Sequence, residues 1–259
     1  MTVTTLENLY INGSKNIKKA IDIAFKNNDY DRVSDLLKIE FITHDGSLSD
    51  LTQIRNRCNG EAMLYNPVFN DFASPTVSSN KDVMPFIVAK QDFVNEDEPI
   101  LIIGLTYSIV YIYYYLAFKN ELLSEEPFAR SLLIKATLTY IAEYKAFFSY
   151  IDSYQDVNLK TMMDGSVESF ILPPNVPPAL VNGFNLLNAC AYFARLRAAR
   201  EHNKIKQDEF WPVAEAFGEK NFGSSWPDIK DLFLSKIKKF SDIFSLQDYE
   251  RYISYALVR

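Results

Sequence analysis

The chain has 259 residues, of which 48% are apolar and 23% are charged, a mixture typical of a folded globular protein. Its net charge of −6 at pH 7 argues against non-specific binding to nucleic acid, because phosphates attract a basic surface. We therefore expect no DNA partner, and an acidic surface favours a basic protein partner instead.

The composition favours helices over sheets. Only eight glycines are present, whereas all-β sandwiches and dinucleotide-binding folds use many glycines in their turns and phosphate loops. Sixteen tyrosines and nineteen phenylalanines can fill a substantial core. We predict an all-α, multi-helix globular bundle of about nine to eleven helices, with more than about half of the residues helical. The length suits a single α-helical domain over residues 1–259.

Two cysteines, Cys58 and Cys190, are too few for a disulfide framework, and Cys190 lies in an apolar run typical of a buried thiol. The first ten residues, MTVTTLENLY, lack the basic segment followed by an apolar one that marks a secretory signal. These features predict a reducing, cytoplasmic setting.

Residues 14–42 read as two helices, separated by a break at Asn27-Asn28-Asp29. His44-Asp45-Gly46 reads as a turn, followed by a short helix near Leu48 to Arg57. Periodicity disappears over 59–82, which predicts a long loop and a possible domain boundary. No strand is assigned in this reading, and Phe86–Ala89 is the best candidate for one.

The segment 99–118 contains no charged residue, and as a helix it would be about 30 Å long, the thickness of a bilayer core. It also holds five tyrosines together with Thr106 and Ser108, and hydroxyls are unfavourable at mid-membrane depth. We therefore predict a buried central helix and not a membrane span.

The segment 125–152 has the clearest helical periodicity, with a wide apolar stripe. We predict that it packs antiparallel to 99–118, so that the two form a central apolar hairpin. The opposite, solvent-facing side is predicted to carry Ser131, Lys135, Thr139, Lys145 and Ser149. A helix of about 25 residues follows Pro177-Pro178 and ends near His202, and three more helices complete the chain.

The usual catalytic motifs are absent from the sequence. It contains no phosphate-binding loop, no dinucleotide-binding glycine pattern and no serine nucleophile elbow. Two histidines and two cysteines, distant in sequence, do not make an ordinary zinc site. We therefore expect no metal and no cofactor, and a non-enzymatic role is favoured over an enzymatic one.

One arrangement could nevertheless carry chemistry. Arg195 and His202 give an R-x6-H spacing, and Arg197 gives R-x4-H, which resembles the motif of the HEPN family of helical ribonucleases. The resemblance implies that His202 acts as general acid or base, while an arginine stabilises the charged phosphorane and RNA is the substrate. Leu196 and Ala198 depart from the family pattern, which often has a polar residue directly after the arginine.

The acidic run Glu96-Asp97-Glu98 precedes the most apolar helix and is the candidate docking point for a basic partner. The leading hypothesis is a non-enzymatic helical protein-binding protein of the inhibitor, immunity-factor or adaptor type. The alternatives are a HEPN-like ribonuclease that uses Arg195 and His202, and a membrane-active bundle that exposes 99–118.

Overall fold

A computed structural model of the chain describes residues 1–26, 30–58, 73–78, 82–122, 128–154, 178–202 and 222–237, with short pieces at 212, 215–216, 218–220 and 242. The chain divides into two compact units, 1–123 and 124–259. Most of the predicted 59–82 loop lies outside the described residues, as do the break at Asn27-Asn28-Asp29 and the start of the predicted 125–152 helix.

The prediction of a mostly helical protein is confirmed, since 73% of the described residues are helical. Nine α-helices are present in the described part of the chain. Their bounds are α1 Leu6–Asn12, α2 Lys15–Lys26, α3 Val33–Leu37, α4 Leu48–Arg57, α5 Glu98–Ala117, α6 Lys119–Leu122, α7 Phe128–Ser153, α8 Pro178–Glu201 and α9 Trp226–Asp231.

A small sheet corrects the expectation that the protein has helices alone. Its strands are β1 Thr2–Thr5, β2 Glu40–His44, β3 Ser74–Thr76 and β4 Phe86–Lys90, in the spatial order β1-β2-β4-β3. The central pair β2–β4 is parallel, and the two outer pairs are antiparallel. The strand candidate Phe86–Ala89 is confirmed as part of β4, whereas Glu40 and Phe41, read as the end of a helix, belong to β2.

Helix α5 is the buried centre of the first unit and packs against α2. By length and composition, Glu98–Ala117 is the one described helix that could cross a membrane, and 67% of its most apolar 18 residues are buried. Two of its hydroxyls bind the chain before β4: Ser108 Oγ donates to the Ala73 carbonyl at 3.1 Å, and Tyr115 donates to the Ser78 carbonyl at 2.8 Å. The polar groups of this apolar helix therefore hold the segment 73–78, which contains β3, against it.

These hydrogen bonds give a first prediction. Tyr115→Phe removes the hydroxyl that donates to the Ser78 carbonyl, and we expect a loss of about 1–2 kcal/mol in the free energy of unfolding. The control is Thr106→Val, because the Thr106 hydroxyl is buried and has no partner among the described residues. Valine keeps its shape, so urea unfolding of this variant should show unchanged or increased stability. Equal losses in both variants would contradict the assigned role of Tyr115.

Helices α7 and α8 form the main packing of the second unit. Helix α7 is buried on more sides than the sequence predicts, since Ser149, expected on the solvent face, has no exposed surface. Trp226 of α9 is also buried and stacks on Phe193 of α8, with ring centroids 5.1 Å apart. Helices α5 and α7, the predicted hairpin, belong to different units, and each has its main packing partner within its own unit.

Candidate functional site

A cleft of about 550 Å³ lies in the first unit, where the parallel strands β2 and β4 end. His44 and Lys90 are the last residues of the two strands and are partners in the sheet register. The side of the cleft that follows β2 is lined by His44, Asp45, Gly46 and Leu51. The side that follows β4 is lined by Lys90, Gln91, Asp92 and Asn95. The carboxyl ends of parallel strands are a common location of ligand sites, because the loops that follow them diverge there.

His44 forms the buried end of this cleft, with 1% of its surface exposed. The Gly46 N–H donates to His44 Nδ1 at 3.0 Å, so Nδ1 carries no proton and the neutral ring holds its proton on Nε2. Gly46 has φ +86°, a conformation that favours glycine and lets the backbone turn back to the ring. Burial lowers the pKa of His44, while the charges of Asp50 and Asp45 oppose that shift. The imidazole is therefore neutral at pH 7.

Asp45 is held as a fixed carboxylate at the mouth of the cleft. Its Oδ1 accepts the Ser47 N–H at 2.8 Å, and hydrogen bonds from Ser47 lower the pKa of Asp45. Ser47 in turn caps α4 by accepting the Asp50 N–H at 3.3 Å. The turn predicted at His44-Asp45-Gly46 is therefore an ordered connection that places a negative charge beside a neutral histidine.

The opposite wall is a 3₁₀ turn, Gln91–Asn95, that follows β4 directly. Its polar residues Gln91, Asp92 and Asn95 are exposed and line the cleft. None of these three side chains has a hydrogen bond or ion pair with another described residue, whereas His44 and Lys90 both interact within the protein. The side chains available to an incoming ligand are therefore the Asp92 carboxylate and the amides of Gln91 and Asn95.

The acidic run Glu96-Asp97-Glu98 continues directly from this 3₁₀ turn. Asp97 is the exposed N-cap residue of α5, but its side chain makes no capping hydrogen bond. Glu98 forms an ion pair with Lys19 of α2, and Glu96 is half-buried. Two of the three predicted docking residues thus extend the negative charge of the cleft, while Glu98 also stabilises the packing of α2 and α5.

Arg195 and His202, the predicted catalytic candidates, both contact α7. Arg195 Nε lies 3.3 Å from Glu143 Oε2, and its guanidinium stacks over the Phe147 ring at 4.8 Å. His202 Nδ1 lies 3.2 Å from the Ala198 carbonyl, which accepts its proton, and Nε2 lies 3.8 Å from Asp152 Oδ1. No contact joins Arg195 to His202 in the described part of the chain, and each has its own carboxylate partner.

Arg197, the other arginine of the motif, belongs to a larger network. It donates to Glu201 at 2.9 Å, to the Ile237 carbonyl at 3.2 Å and to the Tyr140 hydroxyl at 3.4 Å. Its guanidinium also stacks over Tyr144 at 4.4 Å, and the Tyr144 hydroxyl donates to Glu201. These contacts join α7, α8 and Ile237, which follows the π-helical segment Leu232–Lys236, so Arg197 has a structural role.

The described residues therefore offer two candidate sites, the cleft and the face that α8 presents to α7. No protein-family model, curated protein or solved structure matches the chain. The chemistry of the two sites distinguishes them. Arg195 and His202 already have acidic partners, whereas Gln91, Asp92 and Asn95 have none among the described residues.

Sequence reasoning missed the cleft because its two sides lie far apart in the chain. The local pattern places His44 in a turn, and nothing in the sequence singles out Lys90. The available signal was a polar residue at the end of each of two short apolar segments, 41–44 and 86–90. That signal has meaning only when the two segments are recognised as parallel neighbours.

Proposed function

We propose that this protein is a non-enzymatic protein-binding protein of the inhibitor, immunity-factor or adaptor type, which binds a basic surface of its partner at the cleft. The observation that carries the proposal is the row of unpartnered polar side chains, Gln91, Asp92 and Asn95, next to the acidic residues Glu96 and Asp97. Polar groups that lack partners within the described chain are available to a partner protein.

The charges around the cleft support a basic partner. Asp45 and Asp92 are negative and Lys90 is positive, so with a neutral His44 the lining is negative by one charge. Glu96 and Asp97 extend the negative surface beyond the cleft. Complementary charge speeds association and selects against wrong partners more than it raises affinity. A partner with a basic patch and a cation that enters the cleft fits this arrangement.

Co-purification from the native host tests the proposal. We expect wild-type protein to retain one basic partner at stoichiometric amounts, and the double variant Glu96→Lys/Asp97→Lys to lose it. The control is Glu7→Lys/Asp31→Lys, which makes the same charge change at two exposed positions of the same unit. Because the charged contact is at an accessible surface, retention should fall as salt rises to about 0.5 M.

Equal retention by the variant and the control would overturn the proposal, as would an acidic partner. The two alternative functions are outcomes of assays on the same preparation. RNA degradation that His202→Ala abolishes would replace the proposal with the ribonuclease hypothesis, in which Arg195 and His202 are catalytic. Dye leakage from liposomes would replace it with a membrane-active bundle that exposes 99–118.

We also propose two finer features of the fold. These are the single domain over 1–259, with a possible boundary in the 59–82 loop, and the central hairpin of 99–118 with 125–152. The hairpin is supported by the apolar character of both segments. A cytoplasmic location is proposed because Cys58 and Cys190 are both buried and neither is in a disulfide.

A further inference from the structure

We propose that the cleft is an arginine-binding site, in which Asp92 and Asn95 hold the guanidinium group of an arginine side chain from the basic partner. The inference rests on the proposed function and deepens it, because it names the group that the partner inserts. It is carried by the placement of two unpartnered acceptors on one side of a 3₁₀ turn that lines the cleft.

The 3₁₀ geometry places the two acceptors together. Such a helix has three residues per turn, so side chains at positions i and i+3 lie one above the other. Asp92 and Asn95 have this spacing, and both are exposed. The Asp92 carboxylate offers two oxygens for a bidentate pair with a guanidinium, and the Asn95 amide oxygen can accept a further N–H.

The rest of the cleft suits the remainder of an arginine side chain. Leu51 is half-buried and offers an apolar surface to the methylene stem. His44 is neutral, so it does not repel a cation. Lys90 reduces the charge of the lining to a single negative, which one guanidinium neutralises.

Arginine fits this arrangement better than lysine does. The planar guanidinium presents five N–H donors in a fixed fork that matches a carboxylate, and it is more weakly hydrated than an ammonium. An ammonium is a compact, strongly hydrated point charge, so it gains less from two acceptors arranged side by side. The cleft should therefore distinguish the two cations by the geometry of their donors, although their charge is equal.

An NMR titration of the isotope-labelled full chain tests the inference with defined probes. The probes are N-acetyl-arginine methylamide, the corresponding lysine compound and the uncharged citrulline compound. We expect the arginine probe to give saturable amide shifts confined to residues 44–46 and 90–95, with a dissociation constant of about 1–10 mM for a single anchored side chain. The lysine probe should bind at least about fivefold more weakly, and citrulline should not saturate.

Two variants complete the design. Asp92→Asn removes the charge but keeps the shape, and should weaken the arginine probe at least about tenfold. Asp31→Asn makes the same change at an exposed position outside the cleft and should bind as wild type. Unchanged amide shifts elsewhere in the spectrum establish that each variant is folded. Equal binding of the arginine and lysine probes, unchanged affinity in Asp92→Asn, or no saturable shift at all would overturn the inference.

Failure of this inference can be told apart from failure of the proposed function. If a basic partner is lost on charge reversal at Glu96 and Asp97 but the arginine probe does not bind, the arginine site is wrong and the binding function stands. If the arginine probe binds with the expected selectivity but no basic partner is retained, the site stands and the proposed function is wrong.

Discussion

Replacing Gly218 with alanine is expected to destabilise the protein by about 3 kcal/mol, because the added methyl group overpacks the core around Trp226. An ideal Cβ at Gly218 would lie 2.0 Å from Trp226 Cδ2 and 2.1 Å from Cε2, well inside van der Waals contact. The indole has little freedom to move, since it is stacked on Phe193 and Phe222 and its Nε1 donates to Glu215 at 2.6 Å.

Gly218→Ala has two opposing effects on the free energy of unfolding, and the larger one decides whether the variant is less stable. Gly218 is helical, and alanine is favoured over glycine in a helix by about 1 kcal/mol. The overlap with Trp226 exceeds that gain because it displaces a fully buried aromatic ring. The matched control is Glu219→Ala on the next, exposed residue, which should change stability by less than about 0.5 kcal/mol. Urea unfolding followed by tryptophan fluorescence measures both, and a Gly218→Ala variant as stable as the control would disprove the close contact.

Removal of Arg197 is expected to have a comparable effect, a loss of about 2–4 kcal/mol in Arg197→Ala. This half-buried guanidinium donates to Glu201, the Tyr140 hydroxyl and the Ile237 carbonyl, and it covers the Tyr144 ring. Without Arg197, the buried Tyr140 hydroxyl and the Ile237 carbonyl each lose a hydrogen-bond donor. Glu201 loses its ion-pair partner. Arg197→Lys should recover only part of the loss, because one ammonium lacks the planar fork.

The control for this variant is Arg200→Ala, which removes an exposed arginine from the same helix and should leave the urea midpoint nearly unchanged.

The pH dependence of stability provides a second readout. Although burial alone would raise it, the pKa of Glu201 is lowered by hydrogen bonds from Tyr144 and Arg197 and by the charge of Arg197.

The sign of the pH effect follows from this lowered pKa. The ionised Glu201 carboxylate contributes to the free energy of unfolding. This contribution is fully present above the unfolded-state pKa of about 4.3 and is lost as the pH falls through the lower folded-state pKa. Wild-type protein should therefore lose stability on acidification in this range, and Arg197→Ala should lose less. Parallel pH profiles in the two proteins would show that Arg197 and Glu201 are not coupled.

Helix α5 shows what the sequence alone could establish. Its uncharged run predicted a helix of the right length, and the hydroxyls within it favoured burial over a membrane span. The partners of those hydroxyls could not be predicted, because the Ala73 and Ser78 carbonyls lie 35 and 37 residues earlier in the chain. Local periodicity gives the identity of an element and says little about which distant segment it contacts.

Strand β2 shows where local patterns mislead. Residues Glu40–His44 follow α3 closely, and Phe41 continues the helical spacing of Val33 and Leu37, so the segment reads as more helix. Pairing with β4 overrides that local preference and buries Phe41 and Ile42. Local patterns are also insufficient for Arg195 and His202. Their spacing can be read from the sequence, but their partners on α7, Glu143 and Asp152, cannot.

The parallel pairing of β2 with β4 also has a consequence for synthesis of the chain. Phe41 pairs with Ile87, so β2 leaves the ribosome 46 residues before its central partner. At roughly 5–20 residues per second, the newly made strand waits about two to nine seconds with that edge uncovered. An apolar strand with an open edge can pair with other chains during this interval. The antiparallel partner β1 is made earlier and can cover the other edge of β2 at once, so only the edge that faces β4 is exposed until β4 arrives.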